Sequence, residues 1–250
     1  EDQLTLLKAA LNAMGTLGGM GAKSRKGYGS LVLDSLRING DESWSAPRDA
    51  DKLAEVIATL RDENATEALP EFTALSKGAR HVLLSAEKTK PIELLDLIGR
   101  ELVHFRSWGR NGQILGGHVD SEKLFQDDHD LMKQQSAQRR SHPRRIAFGL
   151  PHNYGRPSDR QVGPHDSHLD RRASPLFIHI HECGDSPVAV VSFLPSRFLP
   201  KGRSHISVGG TRIGLKPEDD LYAPIRAFLD RLLNASERKE PFTNVVEVKP

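Results

Sequence analysis

Apolar residues recur along this chain at two spacings, three-to-four and two, and the switches between them mark its elements. Leu4, Leu7, Ala10 (or Leu11) and Met14 repeat at helical spacing and predict an amphipathic helix over 2–14. Positions 28–38, with Ser30-Leu31-Val32-Leu33, are nearly continuously apolar and predict a strand. After Pro47, the one-face spacing of Leu53, Val56, Ile57 and Leu60 predicts a helix over 48–61. A short third helix is expected over 67–75, interrupted near Pro70, and Gly78 closes this part.

His81-Val82-Leu83-Leu84 reads as a buried strand. Pro91 then opens a helix to about Trp108, since proline in the first turn lacks only an N–H that has no intrahelical partner. Ile92, Leu94, Leu95, Ile98, Leu102 and Phe105 line its apolar side. The glycine-rich 109–120 reads as loop, and 121–138 as a polar surface helix capped by Ser121. A strand is expected over 144–150 and a long loop over 151–173. Strands over 176–182 and 188–194 are joined by Gly184-Asp185-Ser186, and Ser174-Pro175 restricts how the first begins. A loop holding Gly202, Gly209, Gly210 and Gly214 follows, then a helix over 220–234 and a strand over 242–248.

Without the 109–173 insertion, the order from 79 to 250 is β-α-β-β-α-β, which predicts an α+β, ferredoxin-like (RRM-like) unit. Residues 1–78 supply helix, loop and strand, the closing part of a first such unit whose opening strands are missing. The chain begins with Glu1 rather than Met and is helical almost at once, as a processed fragment would be.

Composition narrows the function. Hydrophobic residues make up 37% and charged residues 27%, as in a globular protein, and the net charge is only +2, so an anion site must come from clustering. A single cysteine, Cys183, excludes an internal disulfide and suits a reducing cytoplasm. There is no apolar run near 18 residues, so no membrane role is expected.

The first cluster is LGGMGAKSRKGYGSL at 17–31. Gly18, Gly19, Gly21, Gly27 and Gly29 bracket Lys23, Arg25, Lys26 and Tyr28. Glycine lets a backbone take positive φ and approach a ligand, and free N–H groups in such a turn form an anion-binding concavity. Tyr28 stands where a P-loop needs lysine, and a helix precedes these glycines where a dinucleotide fold needs a strand. A long polyanion therefore fits better than one nucleotide.

The second cluster holds Arg139, Arg140, Arg144, Arg145, Arg156, Arg160, Arg171 and Arg172 against Asp159, Asp166 and Asp170, locally +5. Arginine presents a planar donor fork to phosphates and base edges, and His152 or Tyr154 is placed to stack on an unpaired base. Pairing of these arginines with the interspersed aspartates, or with a partner protein, is the alternative.

Other constellations promise less. His179 and His181 alternate on one strand and share a face, but no third ligand stands at metal-binding spacing. Asp127-Asp128-His129-Asp130 contains a His-Asp pair, on what reads as a solvated helix. Cys183 has no partner motif, so nucleophilic catalysis is not expected, and neither metal nor cofactor is implied.

The loop at 17–31 is similar to the glycine-rich loop of the RAMP superfamily of CRISPR-associated RNA-binding proteins, with Lys23 where arginine is commoner. With FGLP at 148–151, RRASPLFIHIH at 171–181 and SFLPSRFLP at 192–200, the chain most resembles the Cmr subunit one of type III-B effector complexes. The resemblance spans most of the chain. It implies two ferredoxin-like domains, a cytoplasmic ribonucleoprotein with other Cmr-type subunits, and contact with the guide RNA near its 3′ end and with target RNA. It also implies no nuclease activity in this subunit. The rival is a metal-independent endoribonuclease using His152, His165 or His168 as general acid or base. A third reading is an architectural subunit without RNA affinity.

Overall fold

The computed structural model describes residues 2–155, 160–165, 170–184 and 186–249. The N-terminal part contains α1 (Asp2–Leu17), β1 (Ser35–Ile38), β2 (Asp41–Ser45) and α2 (Ala50–Asn64). There follow β3 (Arg80–Ser85), α3 (Pro91–Arg106), β4 (Gln113–Ile114), β5 (Val119–Asp120) and α4 (Gln126–Lys133). Then come β6 (His152–Asn153), β7 (Gln161–Pro164), β8 (Leu176–Cys183), β9 (Ser186–Phe193), β10 (His205–Val208) and β11 (Thr211–Gly214). The chain closes with α5 (Glu218–Leu221), α6 (Ala223–Leu233) and β12 (Asn244–Glu247).

A four-stranded antiparallel sheet in the order β12-β3-β9-β8 organises the molecule. Strand alternation sorts its side chains between two cores. Val82, Leu84, Ala189 and Val191 pack with Leu94, Ile98, Phe228 and Leu229 of α3 and α6. Leu83, Val188 and Val190 pack with Leu17, Leu53 and Ile57 of α1 and α2. Covered on both faces, β9 is exposed only at Ser186, which is why its sequence is continuously apolar rather than alternating. Each such Leu or Ile contributes about 2 kcal/mol by leaving water. A second sheet, β11-β10-β7-β6, adds Val162, Ile206, Val208 and Ile213 to the larger core.

Helix α3 starts at Pro91 with the Glu93 half of a capping box: the Lys90 N–H donates to Glu93 Oε2 at 2.8 Å. Its buried side holds Leu94, Leu95, Ile98 and Phe105 as expected, but Ile92 is exposed. The C-terminal helix starts earlier than predicted and breaks at Tyr222, giving α5 and α6.

Several expectations are corrected. Of the strand expected over 28–38, only β1 is regular, and it pairs with β2 across Asn39-Gly40, both at positive φ. The helix expected over 67–75 is absent: Thr66 bridges Ser76, and Pro70 O accepts from Arg197 N. The helix expected over 121–138 shrinks to α4: the Ser121 hydroxyl donates to Ser107 O and accepts from Lys123 N, but Lys123, at φ 56°, breaks off any helical turn there. The strand expected over 144–150 is a 3₁₀ turn, Arg144–Phe148. The loops expected over 109–120, over 151–173 and after 200 contain β4–β5, β6–β7 and β10–β11. Arg156, Asp159, Asp166, His168 and Asp185 lie outside the described residues.

Candidate nucleic-acid interface

After α1 the glycine loop folds back on itself: Met20 N donates to Gly29 O at 2.8 Å and Gly19 bridges Ser30. A Cβ on Gly29 would collide with the Met20 carbonyl, so the close approach requires glycine there. At Gly27, φ is +83° and the missing side chain leaves room for Leu95 and Ile178.

The loop docks on β8, the outer strand of the main sheet, and covers polar groups that an edge leaves unpaired. Ile178 N donates to Arg25 O at 3.0 Å and Ile180 N to Ser30 Oγ at 2.9 Å. His179 Nδ1 donates to Gly18 O at 2.7 Å, and His181 Nε2 donates to Pro47 O at 3.1 Å. The two histidines share a face as alternation requires, with 3.5 Å between His179 Nε2 and His181 Nδ1. Burial holds the His179 imidazole down at about 4 and lowers His181 as well. They pin the N-terminal segment to the sheet.

FGLP and the RRASP stretch meet through paired backbone bonds, Leu150 N to Arg172 O at 2.7 Å and Arg172 N to Leu150 O at 3.2 Å. Gly149 sits at φ +110°, where a Cβ would lie 2.6 Å from Arg172 O. Arg25 ties the glycine loop to this pair: its Nη1 donates to Ser174 O at 2.6 Å, and its guanidinium lies 4.4 Å from the Phe177 ring centroid. Arg172 anchors the same strip from behind, donating to Phe198 O, Ser196 Oγ and the Tyr222 hydroxyl.

Between these segments lies a groove of about 620 Å³. Lys23, Arg25, Lys26, Arg106, Arg171 and Arg172 line it, and no Asp or Glu does so among the described residues. Lys23, Lys26 and Arg171 are exposed. Arg25 and Arg106 sit in the wall, and burial together with the neighbouring Arg172 and Arg145 respectively lowers their pKa values. Such one-signed lining concentrates positive potential in the cleft. His152 also lines it, its imidazole held at about 4 by burial and by Arg106 and Arg145, so it is neutral at pH 7.

The remaining sequence candidates lie elsewhere. Gly18, Gly19 and Gly27 shape the loop; of the loop glycines, Gly21 lines the groove. Tyr28 is exposed outside it, with Lys23 Nζ 5.4 Å from its ring centroid. Arg139 is 1% exposed and donates to Met132 O and Gln134 O, so its guanidinium faces the interior. Arg140 is exposed but turns back to Ala137 O. Arg144 lies over Phe125 and donates to Leu124 O. Arg145 stacks on Tyr154 at 4.5 Å, and Tyr154 is itself buried.

Asp128 holds that region together. Expected on a solvated face, it is 2% exposed. Its carboxylate accepts from Arg144 N at 2.7 Å, Arg145 N at 2.9 Å and the Tyr154 hydroxyl at 3.3 Å, and lies 3.6 Å from Arg145 Nε. Two adjacent N–H groups on one carboxylate set the start of the 3₁₀ turn, as an N-cap does.

Sequence reasoning missed Arg106, whose guanidinium lies 5.5 Å from the ring centroid of Phe148 in FGLP. A basic last turn on an amphipathic helix was its only signal. Among the described residues, no three His, Cys, Asp or Glu side chains are grouped to hold a metal ion, and no helix is long and apolar enough to cross a membrane. Cys183 is buried, which pushes its thiol up to about 11.

No protein-family model and no curated protein matches the chain. A similar solved structure is the apo crystal structure of Cmr1 from Pyrococcus furiosus, at 19% identity and a TM-score of 0.45. The similarity covers 98% of this chain and 59% of that one, so the chain spans about three-fifths of that protein's length.

Proposed function

We propose that this chain is a non-catalytic RNA-binding subunit of a Cmr-type, type III-B CRISPR ribonucleoprotein in the cytoplasm. In this reading the groove carries guide RNA near its 3′ end, target RNA, or both, in antiviral defence alongside other Cmr subunits. The observation that carries it is the convergence of the glycine loop, FGLP and RRASP on one groove with six cations and no acid among its described lining residues. Single-stranded RNA suits such a track because its phosphates follow a positive groove without needing a fixed duplex shape. The β12-β3-β9-β8 order, with chain-order positions four, one, three and two, supports a ferredoxin-like unit over 79–250. Residues 1–78 are then the closing part of a first unit of the same RAMP type.

The test is anisotropy of labelled single-stranded RNA titrated with the whole chain over a range of salt. Changing Lys23, Lys26 and Arg171 together to Ala is expected to weaken binding about tenfold or more. It also flattens the log–log salt dependence by about 2, at roughly 0.7 per lost phosphate contact on a single strand. Unchanged affinity and slope overturn the assignment of the groove. Metal-independent cleavage keeps one specific support, since His152 lines the groove. RNA cleaved in EDTA by the chain, and spared by His152→Ala, would favour that endoribonuclease.

A further inference from the structure

We infer that a second cavity, beyond Asn153, is a stacking pocket for one unpaired nucleobase of RNA lying in the basic groove. This rests on the RNA-binding reading above and adds a base-contacting site to it. The cavity has a volume of about 860 Å³, and Asn153 lines both it and the groove. The shared wall is continuous: Arg145, in the pocket, donates through Nη1 to the carbonyl of Arg106, in the groove, at 3.2 Å.

The pocket is built of rings. Trp108 and His129 stack with centroids 4.2 Å apart and planes 28° apart, and Tyr154 meets His129 edge-on at 5.6 Å. Stacking on such surfaces adds affinity for a base whatever its sequence. Burial and Arg145 hold the His129 imidazole at about 4, so at neutral pH it is an uncharged ring. Asn111, Gln113 and Asn153 bring amide groups able to donate to and accept from a base edge. Arg110 supplies positive charge, Arg145 being paired with Asp128 at 3.6 Å, and no acid lines the cavity among the described residues.

The facing wall is strained. The turn after α3 holds Gly109, Asn111, Gly112, Leu115, Gly116 and Gly117 at positive φ. Leu115, at φ 50°, is a bulky residue in a conformation that favours glycine. Such strain persists where a segment is shaped for a ligand. A duplex keeps its bases paired inside, so the pocket selects a single strand whose base turns away from its phosphates.

Trp44 and Trp108 are the chain's two tryptophans. In the Trp44→Phe chain, Trp108 is the sole indole reporter. Oligouridylate is expected to quench its fluorescence in step with the anisotropy change, and an abasic oligonucleotide of equal length to bind without quenching. Trp108→Ala is expected to weaken oligouridylate binding about tenfold with an unchanged salt slope, and Trp108→Phe to retain most of the affinity. Should Trp108→Ala misfold, the quenching and abasic comparison still decide. Salt-dependent RNA binding with constant Trp108 fluorescence, and equal affinity for the abasic strand, overturns the pocket and leaves the groove standing. Failure of the unaltered chain to bind oligouridylate overturns both.

Discussion

In the glycine loop Lys23 and Lys26 project into solvent, with no acid partner among the described residues, whereas Arg139 and Arg145 turn inward. Both stretches are basic, and either reads as a polyanion site from charge alone. The difference lies in what the backbone needs. The glycine loop satisfies itself through its own turns, the β8 edge and the Arg25 guanidinium, so Lys23 and Lys26 are left over for a ligand. The insertion has little regular structure of its own, and its guanidinium groups close carbonyls left without a backbone partner: Arg139 serves Met132 and Gln134 within it, and Arg145 serves Arg106 at the end of α3. Arginine density there measures how much irregular backbone must be satisfied, more than how much RNA is bound.

The comparison breaks most visibly at Asp128. Asp128→Ala strands the Arg145 guanidinium beside a cavity and releases two backbone N–H groups and the Tyr154 hydroxyl. Removing one partner of a buried ion pair costs about 3–5 kcal/mol, and urea unfolding is expected to register a loss of that size. Lys23→Ala with Lys26→Ala, at exposed positions, is expected to change the same free energy by no more than about 0.5 kcal/mol. Equal effects from the two variants would erase the distinction.

The same contrast explains what the sequence made legible. Continuous apolar runs located β3, β8 and β9, and amphipathic spacing located α1, α2, α3 and α6, each to within a few residues, because burial on both sheet faces leaves a strong pattern. The insertion hid its strands: β6 and β7 are short, and their pairing is settled by contacts with β10, far along the chain. Two hairpins were readable and missed. Asn39-Gly40 and Gly209-Gly210 adopt the positive φ values such dipeptides favour in two-residue turns. At the candidate site, composition located Lys23, Arg25 and Lys26. Nothing local separates Arg171, exposed in the groove, from Arg139, 1% exposed in the core. That difference arises only when Arg172 pairs with Leu150 across the intervening insertion.

Acid provides a second, smaller separation, because histidines hold the N-terminal segment and arginines hold the insertion. His81 and His179 are fully buried, and burial lowers each to about 4 from an ordinary 6.5. Between those values the unfolded chain binds more protons than the folded one, so stability rises with pH and is lost as pH falls from about 6.5 toward 4. At pH 5 each of the two costs about 2 kcal/mol relative to pH 7. Urea midpoints at the two pH values measure the total, to which His129 and His152, also held at about 4, add their own shares. His179→Gln keeps an amide donor for Gly18 O and is expected to flatten the profile by its share. A profile unchanged by that substitution would remove His179 as the acid-sensitive pin.

The smallest effect is expected at Arg140, and it separates local geometry from mere charge. Arg140 is exposed and adjacent in sequence to Arg139, yet it reaches back to Ala137 O and lies away from the groove lining. Arg140→Ala removes the same unit of charge as Lys23→Ala. A diffuse electrostatic attraction falls off over about 8–10 Å in physiological salt, so a cation outside the groove contributes little to RNA held inside it. Arg140→Ala is therefore expected to leave RNA affinity within about twofold and unfolding free energy within about 0.5 kcal/mol. If it weakens RNA binding as much as Lys23→Ala, the strand follows the insertion's outer surface instead. Exposure alone, rather than convergence with FGLP and RRASP, would then select the cations that matter.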